Sequence, residues 1–376
     1  MGKGLLIVLL TAMTLACGKR DNAVRIGALA TLTGENASFG RAAKGGFELA
    51  VEEWNARGGV LGRPIKLVLL DDQGDPAEGA TAVTLLIRRD QVAGVAGPDI
   101  TRVHLAAAPV AQAYGVPLVA SGATGTRVTQ VGDFVFRACF EDSRQGVEGA
   151  RFAYQDLKAR RAACLFERNS EYARGLAEAF RTGFTEQGGE VVACEACLAG
   201  VADFRRELRR LLKAEPDLLF APAYYPEAAM VVRQARELGY RGPVLGSDGW
   251  DSPLLPRLAG ADLENTYFTA FFSPQDPDPL AQSFVKAYRS RCHADPDGQA
   301  TAAYEAAILL LDAIRRAGTT EGGAVRDALA DSNLRLVTGQ VRFDPQRNPV
   351  KPIVVVAMRG GKPVLRTIRA GSPAGL

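Results

Sequence analysis

The sequence predicts an α/β architecture made of two doubly wound, mainly parallel sheets, and three observations carry that reading. Apolar runs of strand length alternate with amphipathic stretches of helical period. The runs are continuously apolar rather than alternating, which marks strands covered on both faces. The alternation is long enough to restart midway, so it describes two lobes of one architecture rather than a single sheet. A chain of 376 residues that is 47% hydrophobic and 23% charged has the material for two such cores.

Taken in order, "AVRIGALA" is the first strand, and apolar positions recur at helical spacing from Ala42 to Arg57 until "GG" stops them. "IKLVLLDD" is the next strand, followed by a helix over Ala77 to Arg89, the short strand "VAGVAG", a helix over Thr101 to Tyr114 and the strand "VPLVAS". The second run gives a helix near Arg144 to Lys158, "AACLFE", a helix over Tyr172 to Gln187, "EVVAC", a helix over Asp203 to Lys213, "DLLFAP", a helix over Glu227 to Leu238 and "PVLGSD". After Tyr267 come helical stretches over Pro279 to Arg291 and Thr301 to Ala317, then the hairpin-like "GQVRFDPQRNP" and "PIVVVAMRGGKPVLRTI". No low-complexity linker separates the halves, so short crossings forming a hinge are expected.

Residues 1–16 read as an export signal: Lys3 supplies a positive start, "LLIVLLTAMTLA" an apolar core too short to span a bilayer comfortably, and Ala16 precedes Cys17. The small residue before cysteine resembles a bacterial lipobox, with Thr14 where leucine is usual. Residues 17–23 are then expected as a tether lipidated at Cys17, the alternative being simple cleavage and secretion. Either way the mature protein is expected outside the cytoplasm. A formal net charge of +3 carries no nucleic-acid signal. Besides Cys17 there are Cys139, Cys164, Cys194, Cys197 and Cys292, an odd number. "CEAC" ends an apolar strand, whereas redox pairs begin a helix, so buried or incidentally oxidised thiols are expected rather than redox or zinc chemistry.

Tests for catalysis find no motif. The first strand is followed by "GALATLTGENASFG" instead of GxGxxG, and no GxxxxGK[ST], GxSxG or HExxH occurs. His104 reads as a partly buried helix residue and His293 as an exposed loop residue. No enzyme, metal or cofactor is expected. The strand ends instead offer small and hydroxyl residues at the carboxyl edge of the sheet, where open α/β folds bind ligands. Thr101 begins a helix, and "PLVASGATGT" collapses into glycine, alanine and threonine. Alone, Thr101 is a helix cap and Thr124 a turn hydroxyl. Together, with Gly122 and Ala123 small enough for backbone contact, they form a carboxylate site.

At this point the chain resembles the type I periplasmic solute-binding proteins of the branched-chain amino acid (leucine/isoleucine/valine) class. The resemblance rests on "IGALATLTGENASFGRAAKGGFELAVEEWNARGGVLGRPIKLVLLDDQGDP", "VAGVAGP", "PLVASGATGTRVT", "FRACFEDSRQG", "EYARGLAEAF", "YYPEAAMVVRQARELGY" and "GSDGW", in that order. It implies two lobes joined by three crossings, with the ligand in the cleft. Lobe 1 is expected over 24–141 with 273–338, and lobe 2 over 142–272 with 339–370.

Carried onto this sequence, the resemblance implies that Thr101, Gly122, Ala123 and Thr124 hold the ligand carboxylate. Tyr172, Tyr224 and Asp248 would face its ammonium, and Phe39 and Trp250 would line the cleft. Asp248 stands where the class commonly has glutamate, Phe39 where it often has tyrosine, and Gly74 near a frequent cysteine, so the leucine-like preference is open. The expected function is delivery of an amino acid, or a related small carboxylate, to an ABC permease in the cytoplasmic membrane. The alternatives are a ligand sensor for a membrane receptor and a binder of a non-amino-acid organic acid or amide.

Overall fold

The computed structural model describes residues 22–370; the expected signal, Cys17 and the start of the tether lie outside the described residues. Lobe 1 opens with β1 (Val24–Ala30), α1 (Ala37–Ala56), β2 (Ile65–Asp71), α2 (Pro76–Arg88), β3 (Val95–Ala96), α3 (Thr101–Tyr114), β4 (Leu118–Ala120) and β5 (Val135–Arg137). Its five strands run parallel in the order β2-β1-β3-β4-β5. Both faces are covered, as the continuous apolar strands require. Leu29, Val95 and Leu118 pack with Val83 and Val103 on one side, while Ile26, Ala28 and Val119 pack with Phe47 and Leu310 on the other. α2 starts where proline and a cap coincide: Asp75 accepts from the backbone N–H groups of Ala77 and Glu78 ahead of Pro76.

The chain then crosses into α4 (Asp142–Gln155), β6 (Arg161–Glu167), α5 (Glu171–Glu186), β7 (Glu190–Cys197), α6 (Arg205–Leu212), β8 (Leu218–Phe220), α7 (Tyr225–Glu237), β9 (Val244–Gly246), α8 (Leu255–Ala259) and β10 (Thr266–Ala270). It returns to lobe 1 for α9 (Pro279–Cys292), α10 (Gly298–Ala317), α11 (Gly322–Ala330), β11 (Asn333–Leu336) and β12 (Gly339–Arg342), then ends in lobe 2 with β13 (Ile353–Arg359) and β14 (Lys362–Arg369). The lobe 2 sheet has the order β14-β13-β10-β9-β8-β6-β7, parallel except that β13 runs antiparallel to both β10 and β14.

Four sequence expectations change. β12 pairs with β11, and Val341 packs in the lobe 1 core, so lobe 2 resumes after the third crossing rather than at 339. α1 begins at Ala37 instead of Ala42, because Ser38 and Phe39 are buried; no side-chain cap marks that start. β7 runs on to Cys197 rather than stopping at Cys194, with "CEAC" as its last four residues. His104 is completely buried rather than partly so, and burial first, then the Arg137 charge, pushes its pKa down to about 3. It is a neutral core residue.

Candidate functional site

The carboxyl ends of β1 to β4 meet the first turns of α3, α4 and α10. There the small-residue turn after β4 is held by its own backbone. Arg137 is fully buried and donates through Nη1 to the Thr124 carbonyl at 2.7 Å and through Nη2 to the Gly125 carbonyl at 2.9 Å. Gly125 N–H donates to Thr101 Oγ1 at 3.1 Å, which leaves the threonine hydroxyl hydrogen free to donate elsewhere. Thr101 is therefore the first residue inside α3, with Ile100 at the cap position, and its hydroxyl braces the turn. Gly122 is required by contact: a Cβ there would lie 2.3 Å from Gln299 Oε1. Ala123 and Thr124 are fully buried, and Thr124 Oγ1 has no protein hydrogen-bond partner.

Asp248 presents the opposite polarity. It sits in a short 3-10 turn over Asp248–Trp250 that follows β9. Its Oδ1 accepts from Gln145 Nε2 at 2.8 Å and from the Tyr172 hydroxyl at 2.9 Å. Gly249 N–H donates back to the Tyr172 oxygen at 2.9 Å, and Ser247 Oγ lies 2.8 Å from it. Burial raises the Asp248 carboxyl to about 6, with the bonds from Gln145 and Tyr172 opposing the shift. Tyr172 and Tyr224 stack with ring centroids 4.9 Å apart and planes 2° from parallel. Burial, followed by the Asp248 charge, raises Tyr172 well above its ordinary value, so it serves as a phenol donor.

The lobes touch around this site. Phe39 of lobe 1 meets the edges of Tyr224 and Tyr225 at 5.9 and 5.3 Å. The Tyr225 hydroxyl donates to the Glu35 carbonyl at 2.6 Å, Ser252 Oγ donates to Ser38 Oγ at 2.9 Å, and Arg127 pairs with Glu171 at 3.3 Å. A cavity of about 240 Å³ lies at this junction, lined by Thr101, Arg102, Glu167, Glu171, Tyr172 and Tyr224 among others.

Of the residues expected from sequence, Gly122, Ala123 and Thr124 share one turn that Thr101 braces from the start of α3, Tyr172, Tyr224 and Asp248 share the facing lobe, and Phe39 bridges the two. Trp250 does not join them. It is fully buried, its indole N–H donates to the Ala221 carbonyl at 3.0 Å, and its ring lies over Gly246, where a Cβ would be 2.1 Å away. The 3-10 turn that aims Asp248 outward sends Trp250 back into the lobe 2 core, and its edge borders a separate cavity of about 290 Å³ with Phe268 and Met358.

Two residues were missed. Asp142 and Gln145 occupy one face of the first turn of α4, which starts two residues before the Arg144 expected from sequence. Asp142 N–H donates to the Thr124 carbonyl at 3.0 Å, which ties the two halves of the site together. Burial, then the Asp248 charge, pushes the Asp142 carboxyl well up, with the neighbouring Thr124 hydroxyl opposing the shift, while neither carboxyl oxygen makes a hydrogen bond of ordinary geometry to the protein. The spacing of aspartate and glutamine inside "FEDSRQG" was the available signal. Among the described residues, no group of three or more His, Cys, Asp or Glu is arranged to hold a metal ion, and no helix is long and apolar enough to cross a membrane.

Residues 23–362 match the family model described as periplasmic binding protein. A Leu/Ile/Val-binding protein homolog 2 from Brucella abortus is 28% identical over 358 residues, 94% of this chain and 95% of that protein. The crystal structure of a leucine-binding protein, LivK, from Thermotoga maritima superposes with a TM-score of 0.87 at 32% identity, covering 93% of this chain and 99% of the other. That of the branched-chain amino acid transporter substrate-binding protein LivJ from Streptococcus pneumoniae, in complex with isoleucine, gives 0.87 at 32% identity, covering 93% and 100%. With two parallel-sheet lobes, a site where they meet and a family match over most of its length, the chain belongs to the periplasmic binding protein family, whose members bind solutes outside the cytoplasm.

Proposed function

We propose that this protein captures an α-amino acid, or a closely related small carboxylate, between its lobes and delivers it to an ABC permease, held at the membrane through a lipid on Cys17. One observation carries the ligand reading: a buried hydroxyl without a protein partner, Thr124 Oγ1, stands on one lobe, and a buried carboxylate, Asp248, stands on the other. An α-amino acid carries the complement of both on one carbon. Its carboxylate would take the Thr101 and Thr124 hydroxyls and the small-residue backbone, and its ammonium would meet Asp248 beside the Tyr172–Tyr224 stack.

The chemistry is binding and closure. A ligand that touches both lobes favours the closed arrangement by its differential affinity for that state, and the permease would read the closed form. The similarity to the leucine- and isoleucine-related proteins above supports an amino acid, and the small apolar leader before Cys17 supports the anchor. The test is a thermal-shift and calorimetric screen of the leader-free protein against α-amino acids, their amides and small aliphatic and aromatic acids. A rise in melting temperature with α-amino acids is expected. A rise only with acids lacking an amine would overturn Asp248 as the ammonium partner.

A further inference from the structure

The carboxyl edge of the lobe 1 sheet carries more acceptors than an α-amino group can use. Strand order places Asp72 after β2, Thr31 after β1, Asp99 after β3 and Ser121 after β4, so these residues follow one another along the edge. Asp72 Oδ1 accepts from Thr31 Oγ1 at 2.6 Å and from Gly74 N–H at 2.9 Å, while Oδ2 has no protein partner. Asp99 Oδ1 accepts from Ser121 Oγ at 2.6 Å, and its Oδ2 likewise has none. Beside them Gln299, in the first turn of α10, is 2% exposed and directs an unpartnered Oε1 at Gly122, the first small residue of the carboxylate turn.

We infer that the side-chain end of this cleft, built by Asp99 and Gln299 with Asp72 behind, selects an α-amino acid whose side chain ends in a positively charged group. This rests on the amino-acid reading above and specifies it. A buried carboxylate without a cation is costly, and a buried amide oxygen without a donor costs less but in the same direction. Arg102, which donates to the Gly74 carbonyl, acts on Asp72 behind, but no cation acts on Asp99. Arg137 is committed to the carbonyls of Thr124 and Gly125, and the two charges that act on Asp99 are those of Asp72 and Asp297, both negative. On the amino-acid reading Asp248 takes the α-ammonium, so a second cation on the ligand is the group that matches Asp99.

An aliphatic side chain would do the reverse. It would bury Asp99 Oδ2 and Gln299 Oε1 against hydrocarbon, and sites that hydrogen-bond a polar group reject ligands lacking it far more strongly than apolar pockets discriminate size. The inference therefore separates this cleft from the leucine- and isoleucine-binding relatives.

The experiment is isothermal titration of the leader-free protein at neutral pH with lysine, ornithine, arginine, leucine and norleucine, the last matching lysine without its terminal ammonium. Lysine, ornithine or arginine should bind at least tenfold more tightly than norleucine. Asp99→Asn keeps the Ser121 bond and should bring the lysine-to-norleucine affinity ratio toward one. Gln299→Leu should shift the same ratio in the same direction, which guards against a folding defect in either variant. Leucine or norleucine binding as tightly as the basic amino acids would overturn the subsite and leave the amino-acid reading standing. Failure of every α-amino acid to bind would overturn both.

Discussion

Replacing Asp248 with asparagine should move stability and affinity in opposite directions. The side chain keeps its shape, and the new amide oxygen can still accept from Gln145 and Tyr172. In the ligand-free protein the carboxyl is raised from 3.8 to about 6 by burial, a gap of about two units, or about 3 kcal/mol. The sign follows from proton binding. For an acid whose folded pKa lies above its unfolded one, stability is highest when both states are protonated, falls as pH rises between about 4 and about 6, and stays reduced above that. Asp248→Asn should therefore stabilise the ligand-free protein by about 3 kcal/mol at pH 7.5, with the gain vanishing near pH 4.

Release of the Asp142 carboxyl from its charged neighbour acts in the same direction. The ligand ammonium, however, loses a desolvated charged partner, worth about 2 to 5 kcal/mol, or a factor of roughly 30 to several thousand in Kd. Urea unfolding across pH 4 to 8, paired with calorimetric titration of the best α-amino acid, measures both. A variant no more stable than the parent at pH 7.5, or one that binds with unchanged affinity, would refute the assignment.

Four further outcomes follow from the same contacts. Thr124→Val removes a buried hydroxyl that lacks a protein partner, so denaturant unfolding should change by less than about 1 kcal/mol while Kd for an α-amino acid rises by roughly tenfold or more. Lys351→Met strands Glu305, whose carboxylate is fully buried against Lys351 and Thr338 near the third crossing. Unfolding should then cost about 3 to 5 kcal/mol less, with Glu305→Gln in the same chain recovering most of the loss. Trp250→Ala should lower stability by about 3 to 5 kcal/mol, read in urea, because its ring fills the lobe 2 core. Asp251 of lobe 2 accepts from Gly298 N–H at the start of α10 in lobe 1, at 2.8 Å, beside Asp297; burial raises Asp297 to about 7 and Asp251 well above its ordinary value. The Gly298 bond itself favours the charged carboxylate, but as pH rises through about 7 both buried carboxyls ionise and repel each other across the lobes, so small-angle scattering of the ligand-free protein should give a larger radius of gyration at pH 8 than at pH 5.5, and Asp251→Asn should abolish the difference.

Long two-faced strands made the fold legible. β1 and β6 each bury a continuous apolar run, and no partner is needed to recognise it. β5 and β10 were passed over because three to five residues of ordinary composition become strands only when β4, β9 and β13 supply their ladders. The small-residue turn after β4, which is proposed to hold a carboxylate, stood out in the sequence because small residues in a strand-end loop have a local cost that demands a reason. Asp99 and Gln299 were not, since "GPDIT" and "DGQAT" look like ordinary strand-end and helix-start segments until α10 returns across the sheet and brings Gln299 against Gly122. Trp250 misled for the opposite reason: adjacency to Asp248 in sequence says nothing about direction when a 3-10 turn rotates neighbouring side chains apart.

The distribution of carboxylates gives the cleft its means of coupling ligand to closure. Asp99 and Asp297 belong to lobe 1, and Asp142, Asp248 and Asp251 to lobe 2; in all five, burial is the leading cause of a raised pKa. Burial is therefore unfavourable for each of these charges, and closing the lobes without a cation works against itself. The aromatic edge contacts of Phe39 and the Ser38–Ser252 bond offer modest compensation. A ligand ammonium converts the same carboxylates from a cost into a gain, and that difference between liganded and unliganded closure is the quantity that shifts a two-state equilibrium. A carboxylate without an amine would satisfy the threonine turn yet leave Asp248 and Asp142 buried and uncompensated. On this reading, anion binding alone holds the lobes together weakly, and the cationic end of the ligand decides whether the protein presents a closed form.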